Sequence, residues 1–319
     1  MRVSAGRATR VAVVDCGTNS LRLLIADVDP ASGVLTDVDR RMEIVRLGQG
    51  VDATGRLAPQ ALARTMRMLA SYRAAIDAAS VSAVRMVATS ATRDAANAAE
   101  FVAGAVGVLG VKPEVLSGQE EARLSFVGAT AELADSLPQP YLVVDIGGGS
   151  TEFVLGNAAS VTAAASVDIG CVRLTERHLH GDPPTAAEVA AASCDIEAAL
   201  DKVAATVPAS EARTLVGLAG SVTTVAALAL GMTGYDPALI HHTRVSAEAV
   251  RAQADRLLGM TRTQRQDLGP MHAGRVDVIG GGSLILALTM ARFGLAEVLV
   301  SEHDILDGIA WSMAGNGHP

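Results

Sequence analysis

The chain has 319 residues, half of them hydrophobic and only 3% aromatic, with a formal charge of -8 from 26 Lys+Arg against 34 Asp+Glu. At a prior of ~150 residues per domain this length suggests two domains, and the apolar half is enough for sizeable cores. The acidic balance, with no basic run, excludes general nucleic-acid binding, because that affinity comes mainly from phosphate neutralisation.

The three cysteines, Cys16, Cys171 and Cys194, have no CxxC spacing, which excludes a disulfide framework or a cysteine zinc site. No N-terminal leader pattern and no apolar run near ~18 residues is present, so the expectation is a soluble cytoplasmic protein with neither membrane nor nucleic acid as a partner. Lys112 and Lys202 are the two lysines. Arginine therefore carries nearly all the positive charge, as suits bidentate phosphate contacts and equally a GC-rich genome.

Residues 10–28, RVAVVDCGTNSLRLLIADV, read as a strand, a polar turn of Gly17, Thr18, Asn19 and Ser20, and a second strand. Residues 42–51 suggest a further strand closed by the turn LGQG. Pro59 opens a helix with apolar positions Leu62, Met66, Leu69 and Ile76. VSAVRMVATSATRD reads as a buried strand running into a helix start, 97–109 as a helix, KPEVLSG as a short strand and QEEARLSFVGATAEL as a helix. The segment 135–140, DSLPQP, is a polar break. Residues 141–155, YLVVDIGGGSTEFVL, then repeat the opening: at an offset of 130, Asp15/Asp145, Gly17/Gly147 and Ser20/Ser150 coincide.

Beyond the repeat, the pattern predicts a strand at 161–168, a helical 171–180 and a helix opened by the capping box of Thr185 and Glu188. The strand LVGLAG leads into SVTTVAALAL, and 246–260 is a helix. VDVIGGGSLILALTMARF and EVLVSEHDILDGIAWSMA each join an apolar run to a helix, the last from about 303. The alternation predicts an α/β protein, and the 130-residue offset predicts two similar halves whose D-x-G-x-x-S hairpins face one cleft. The first half ends near 128, and the last helix packs back on it.

Glycine-rich turns follow apolar strands at Asp15–Ser20, Asp145–Thr151 and Gly217–Thr224, with a fourth candidate at Gly280–Ser283. Glycine lets backbone N–H groups approach an anion, and the hydroxyls of Thr18, Ser20, Ser150, Thr151 and Ser221 add donors. The third turn opens a helix, whose first N–H groups attract phosphate. Together these favour a phosphate site over a set of ordinary tight connections. No GxxxxGK[ST] run exists, and the first two turns lead into strands rather than helices, so neither an NTPase P-loop nor a dinucleotide fingerprint is present.

Asp15 and Asp145 end buried strands beside these turns, where a carboxylate needs either Mg²⁺ with phosphate oxygens or the N–H groups of its own loop. Glu120 and Glu121 open a helix in SGQEEAR, where acidic residues commonly answer the helix dipole. Adjacent helical side chains diverge by ~100°, so one of the two can enter a cleft. Glu152 is a third carboxylate. Arg93, Arg22 and Arg275 stand beside these turns as phosphate contacts or as solvated surface arginines. His178/His180 and His241/His242 have no paired carboxylates at metal-ligand spacing, and His303-Asp304-x-x-Asp307 reads as a helix start.

DCGTNSLRLLIADV, ATSATRD, SGQEEA, DIGGGSTEFVLG and AGSVTT, in this order, resemble the Ppx/GppA family of exopolyphosphatases and guanosine pentaphosphate phosphohydrolases over roughly residues 10–312. The resemblance implies duplicated RNase H-like domains of the actin/Hsp70/sugar-kinase architecture with an interdomain cleft. Residues 1–128 would carry the DCGTNS loop, Arg93 and Glu121, and residues 129–319 the DIGGGSTE and AGSVTT loops. The chain looks like the short form, without the HD-type domain of longer members.

The family's catalytic glutamate falls on Glu121, its phosphate-contacting arginine on Arg93, its metal-site aspartate on Asp145 and its second acidic residue on Glu152. Arg22 and Arg275 match ligand-binding positions. Asp15 joins the metal set. Thr18, Asn19, Ser20, Gly147, Gly148, Gly149, Ser150, Thr151, Gly220 and Ser221 form the phosphate-binding loops. Mg²⁺, or Mn²⁺ in its place, is the implied cofactor, polyphosphate and (p)ppGpp the implied ligands, and a homodimer the implied assembly. One departure stands out: many relatives have Arg-Glu-Gly where this chain has Leu306-Asp307-Gly308.

The expected function is therefore release of terminal orthophosphate from polyphosphate by in-line attack of water activated by Glu121. Removal of the 5′-terminal phosphate of pppGpp by the same site is the alternative. A kinase-like phosphotransferase and an alarmone-binding regulator are the others. SGQEEA speaks against the kinase, and the joint presence of Glu121, Arg93 and Asp145 against the idle regulator.

Overall fold

A computed structural model describes residues 8–133 and 136–314. Asp135, at the start of the polar break, lies outside them. The chain forms two compact units. One runs through Gly128 and resumes at Ile305, and the other is Ala129–Asp304.

In the first unit β1 (Thr9–Cys16), β2 (Ser20–Asp29), β3 (Val34–Ile44), β4 (Ala83–Ala88) and β5 (Glu114–Val115) form a sheet in the order β3-β2-β1-β4-β5. The first three strands are an antiparallel meander, and β4 and β5 join in parallel. β1 is buried from Val11 to Cys16 because helices cover both faces of the sheet, which explains its unbroken apolar run. Alternate side chains leave a strand on opposite faces. Ala12, Val14, Leu21, Leu23 and Ile25 pack with Leu69, Tyr72 and Phe101 from the Pro59–Ala78 and Ala98–Leu109 helices. Val11, Val13, Leu24 and Ala26 pack with Ile305, Leu306, Ile309 and Trp311 of the Ile305–Met313 helix.

In the second unit β6 (Tyr141–Ile146), β7 (Thr151–Gly156), β8 (Val161–Val167), β9 (Thr214–Leu218), β10 (Arg244–Ser246) and β11 (Glu297–Val300) take the order β10-β11-β9-β6-β7-β8. Read from β8, five strands repeat the first unit: an antiparallel meander, then two parallel strands, with β10 added at the edge. Even the turns match. Gly17 N–H donates to the Ser20 carbonyl at 2.9 Å, and Gly147 N–H to the Ser150 carbonyl at 3.1 Å. The protein is a duplicated RNase H-like α/β fold.

Three local expectations are corrected. β3 begins at Val34 rather than near 42, because an edge strand exposed on both sides carries charges that read as a loop. Gly280–Ser283 is no turn: it lies inside the Ile279–Phe293 helix, where the Ser283 hydroxyl donates to the Gly280 carbonyl at 3.0 Å. The last helix starts at Ile305, two residues beyond expectation. Among the described residues no helix is long and apolar enough to cross a membrane.

Candidate active site

The sequence-predicted residues of the first unit gather at the ends of β1 and β4. The adjacent glutamates are separated by their local bonds. Ser117 and Glu120 form a capping box: Ser117 N–H and Oγ donate to Glu120 Oε2 at 2.9 and 2.7 Å, and Glu120 N–H returns to Ser117 Oγ at 3.3 Å. The Ser117 backbone N–H, then its hydroxyl, hold the Glu120 carboxyl below its ordinary range. Glu121, one residue on in the Gly118–Thr130 helix, turns inward and is buried. Arg93, in the short Ser90–Asp94 helix after β4, donates from Nη1 to Glu121 Oε2 at 3.2 Å and to the Leu116 carbonyl at 2.8 Å.

The DCGTNS loop is pinned to that short helix by a 2.7 Å hydrogen bond between Thr18 Oγ1 and Ser90 Oγ. The Asn19 carbonyl accepts from the N–H groups of Val45 and Arg46. Asn19 Oδ1 is buried without a hydrogen-bond partner among the described residues. Half a turn of that amide presents its NH₂, the donor a phosphate oxygen requires. Asp15 and Arg22 are direct cross-strand neighbours, and Arg22 donates from Nε and Nη2 to Asp15 Oδ2 at 3.0 and 2.6 Å.

In the second unit the GGG loop is held by its carbonyls. Cys171 N–H donates to Gly147 O, Val172 and Arg173 N–H to Gly148 O, and Arg173 Nε to Gly149 O at 2.7 Å. In a trans peptide the C=O and the next N–H point in opposite directions. Fixing three successive carbonyls on the Cys171–His178 helix therefore aims the N–H groups of Gly148, Gly149 and Ser150 away from it. Successive N–H groups turned to one side are donors an anion can use. The approach is so close that a Cβ at Gly170 would collide with the Gly148 carbonyl, so glycine is required there. The Thr151 side chain does not add a donor to this row, because its hydroxyl hydrogen goes to the Ile169 carbonyl at 2.7 Å.

Asp145 and Glu152 are direct partners across β6 and β7, the positions that Asp15 and Arg22 hold in the first unit. Side chains at paired positions leave the same face of the sheet. Where the first unit answers its aspartate with an arginine, the second places a second buried carboxylate, whose Oε1 accepts from Ser166 Oγ at 2.7 Å. Buried oxygen donors of like charge are chemistry suited to a hard divalent cation.

The AGSVTT segment differs from a simple glycine turn. The Ala219–Ala229 helix already includes Gly220 and Ser221, and Ala219 adopts φ 67°, a left-handed conformation at the strand–helix junction that costs a non-glycine residue of order 1 kcal/mol. Arg275 lies against this first turn, donating to Thr224 Oγ1 at 3.2 Å, and a Cβ at Gly220 would fall on its guanidinium. Beside it, burial pushes the Cys171 thiol up, with the Ser221 hydroxyl and Arg275 acting in the opposite direction.

Ser90, Ser166, Arg173 and Thr224 are the supporting residues that sequence reading missed. Ser90 and Thr224 sit inside motifs already singled out, whereas Ser166 and Arg173 carry no local signal. At the departure from the family pattern, Leu306 is buried in the apolar cluster, and Asp307 holds Arg40 at 2.5 Å.

The model of the Ppx/GppA phosphatase family matches residues 24–316. The chain is 54% identical to exopolyphosphatase 2 of Mycobacterium tuberculosis, over 96% of this chain and 99% of that one. It resembles the crystal structure of an exopolyphosphatase-like protein at 42% identity and a TM-score of 0.92, over 96% and 99% of the two chains. The Aquifex aeolicus member of the Ppx/GppA family is 31% identical, with a TM-score of 0.79 over 98% of this chain and 99% of that one. The chain belongs to the Ppx/GppA phosphatase family.

Proposed function

We propose that this phosphatase is an exopolyphosphatase, releasing terminal orthophosphate from inorganic polyphosphate. The observation that carries the reading is the likeness, across both full lengths, to the mycobacterial exopolyphosphatase. Glu121 takes a proton from the attacking water as its oxygen bonds to the terminal phosphorus. The bridging P–O bond breaks, and the shortened polyphosphate leaves with the electron pair. Arg93 orients Glu121 through Nη1 and stabilises charge on the transferred phosphoryl group with its remaining N–H donors. The N–H groups of Gly148, Gly149 and Ser150, with Ser221, bind phosphate oxygens, as do Thr18, Asn19 and Ser20 in the first unit, while Gly147 spends its N–H on the Ser150 carbonyl and closes the turn.

Asp145 and Glu152 would hold Mg²⁺, or Mn²⁺ in its place. When bound it supplies charge neutralisation on phosphate oxygens. We give Asp15 the task of fixing Arg22 rather than a metal bond, since the arginine already answers its charge. Within this reading the protein acts as a cytoplasmic homodimer.

The test is phosphate release by the full chain from long polyphosphate and from pppGpp. A higher kcat/KM on polyphosphate, abolished by EDTA and restored by Mg²⁺, is expected. A higher value on pppGpp would transfer the assignment to the guanosine pentaphosphate reaction, and full activity in excess EDTA would remove the metal. In the same assay Gly220→Ala should displace Arg275 and raise KM about tenfold with kcat little changed, as loss of a uniform binding contact does.

A further inference from the structure

We propose that Glu132, His241 and His303 bind one divalent transition-metal ion of the zinc class, through side chains that the phosphate-binding loops do not supply. Sequence spacing gave no reason to join these residues: one lies just after the Gly118–Thr130 helix, one after the Pro237–Ile240 turn and one between β11 and the last helix. Folding of the second unit brings one ligand atom of each within 4.8 Å of the others. His303 Nδ1 and Glu132 Oε2 are 3.4 Å apart. In a tetrahedral zinc site with bonds of about 2.1 Å, ligand atoms stand roughly 3.4 Å from one another. One edge of the site is thus at its loaded length, and rotation of partly exposed side chains closes the rest.

Two imidazoles and a carboxylate are a three-ligand zinc set that leaves a fourth position for water or an anion. The same donors select against Mg²⁺, which prefers oxygen ligands and keeps its own waters. The supporting frame is built. His242 N–H donates to the Val300 carbonyl at 2.7 Å and His303 N–H to Ser301 Oγ at 3.0 Å, so the backbones beside both ligand histidines are tied to the end of β11. His241 stacks on His242 at 3.7 Å and tilts against His303 at 4.6 Å. His241 Nδ1 accepts the Glu302 N–H at 3.1 Å, which places its proton on Nε2 in the metal-free chain. Loading turns that ring off the amide, exchanging one neutral hydrogen bond for a metal–nitrogen bond.

Glu132 and His303 stand close to where the chain enters and leaves the second unit, so the ion joins segments remote in sequence and stabilises the folded state by mass action. The test uses the full chain with zinc alone, in buffer holding excess Mg²⁺, by calorimetric titration and thermal melting. One equivalent with a micromolar dissociation constant is expected, together with a rise of several degrees in Tm. His241→Ala and His303→Ala should each weaken binding by at least the ~100-fold that even supporting-shell changes reach. Glu132→Gln, at an exposed position that does not endanger folding, should weaken it about tenfold. Absence of binding by the parent chain, binding competed away by Mg²⁺, or an unchanged dissociation constant in Glu132→Gln and the double histidine variant would overturn the proposal.

Discussion

Glu121→Gln is expected to lower kcat ~10²-fold or more while KM and Tm stay near those of the parent chain, the range for loss of a general base. The amide has nearly the same shape and can still accept from Arg93 Nη1, so the local fold survives while the proton acceptor is lost. Glu120→Gln is the internal control. Its side chain is occupied with the Ser117 capping box, and glutamine serves that motif as well as glutamate. Its kcat should therefore remain within a factor of about two, since it touches neither water nor phosphate in this assignment. Equal losses at the two positions, measured by steady-state phosphate release, would remove Glu121 from the role of base.

Arg93→Ala is expected to lower kcat by ~10²-fold or more and kcat/KM further, because a donor aimed at developing phosphoryl charge acts mainly in the transition state. The structure adds a second reason. Arg93 spans the Leu116 carbonyl and Glu121, so its removal also frees the proposed base from its orientation. Arg93→Lys should recover only part of the rate, since an ammonium cannot reproduce the planar fork. The double variant Arg93→Ala/Glu121→Gln should be little worse than the poorer single variant, as residues acting as a unit are not additive. A change in KM alone would make Arg93 a tether for substrate. Arg22 gives no such clean test, because its removal strands the buried Asp15 carboxylate and destabilises the first unit along with any effect on binding.

Much of the fold was legible because the code for it is local. VAVV and YLVV are apolar without alternation, as strands covered on both faces must be, and the repeated D-x-G-x-x-S turn announces the duplication. The DVDRR stretch of β3 hides its extent, because an edge strand can be charged and need not look apolar. Gly280–Ser283 has the composition of a turn, because glycine and serine favour turns in isolation. Burial on all sides within the second unit made it helical instead.

The sequence by itself determined the residue types of the candidate site, the α/β class and the doubled hairpin, since each depends on short-range pattern and turn chemistry. Only the tertiary structure decided how those residues are used. It gave Glu120 to a helix cap and turned Glu121 to Arg93, although the two are adjacent and chemically identical. It answered Asp15 with Arg22 and set Asp145 opposite Glu152, although both aspartates sit in the same motif. It also joined Glu132, His241 and His303, which no local pattern links. The physical reason is common to all three. Charge pairing and ligand geometry act through space over a few ångströms, and strand register and helix packing, not separation along the chain, set those distances.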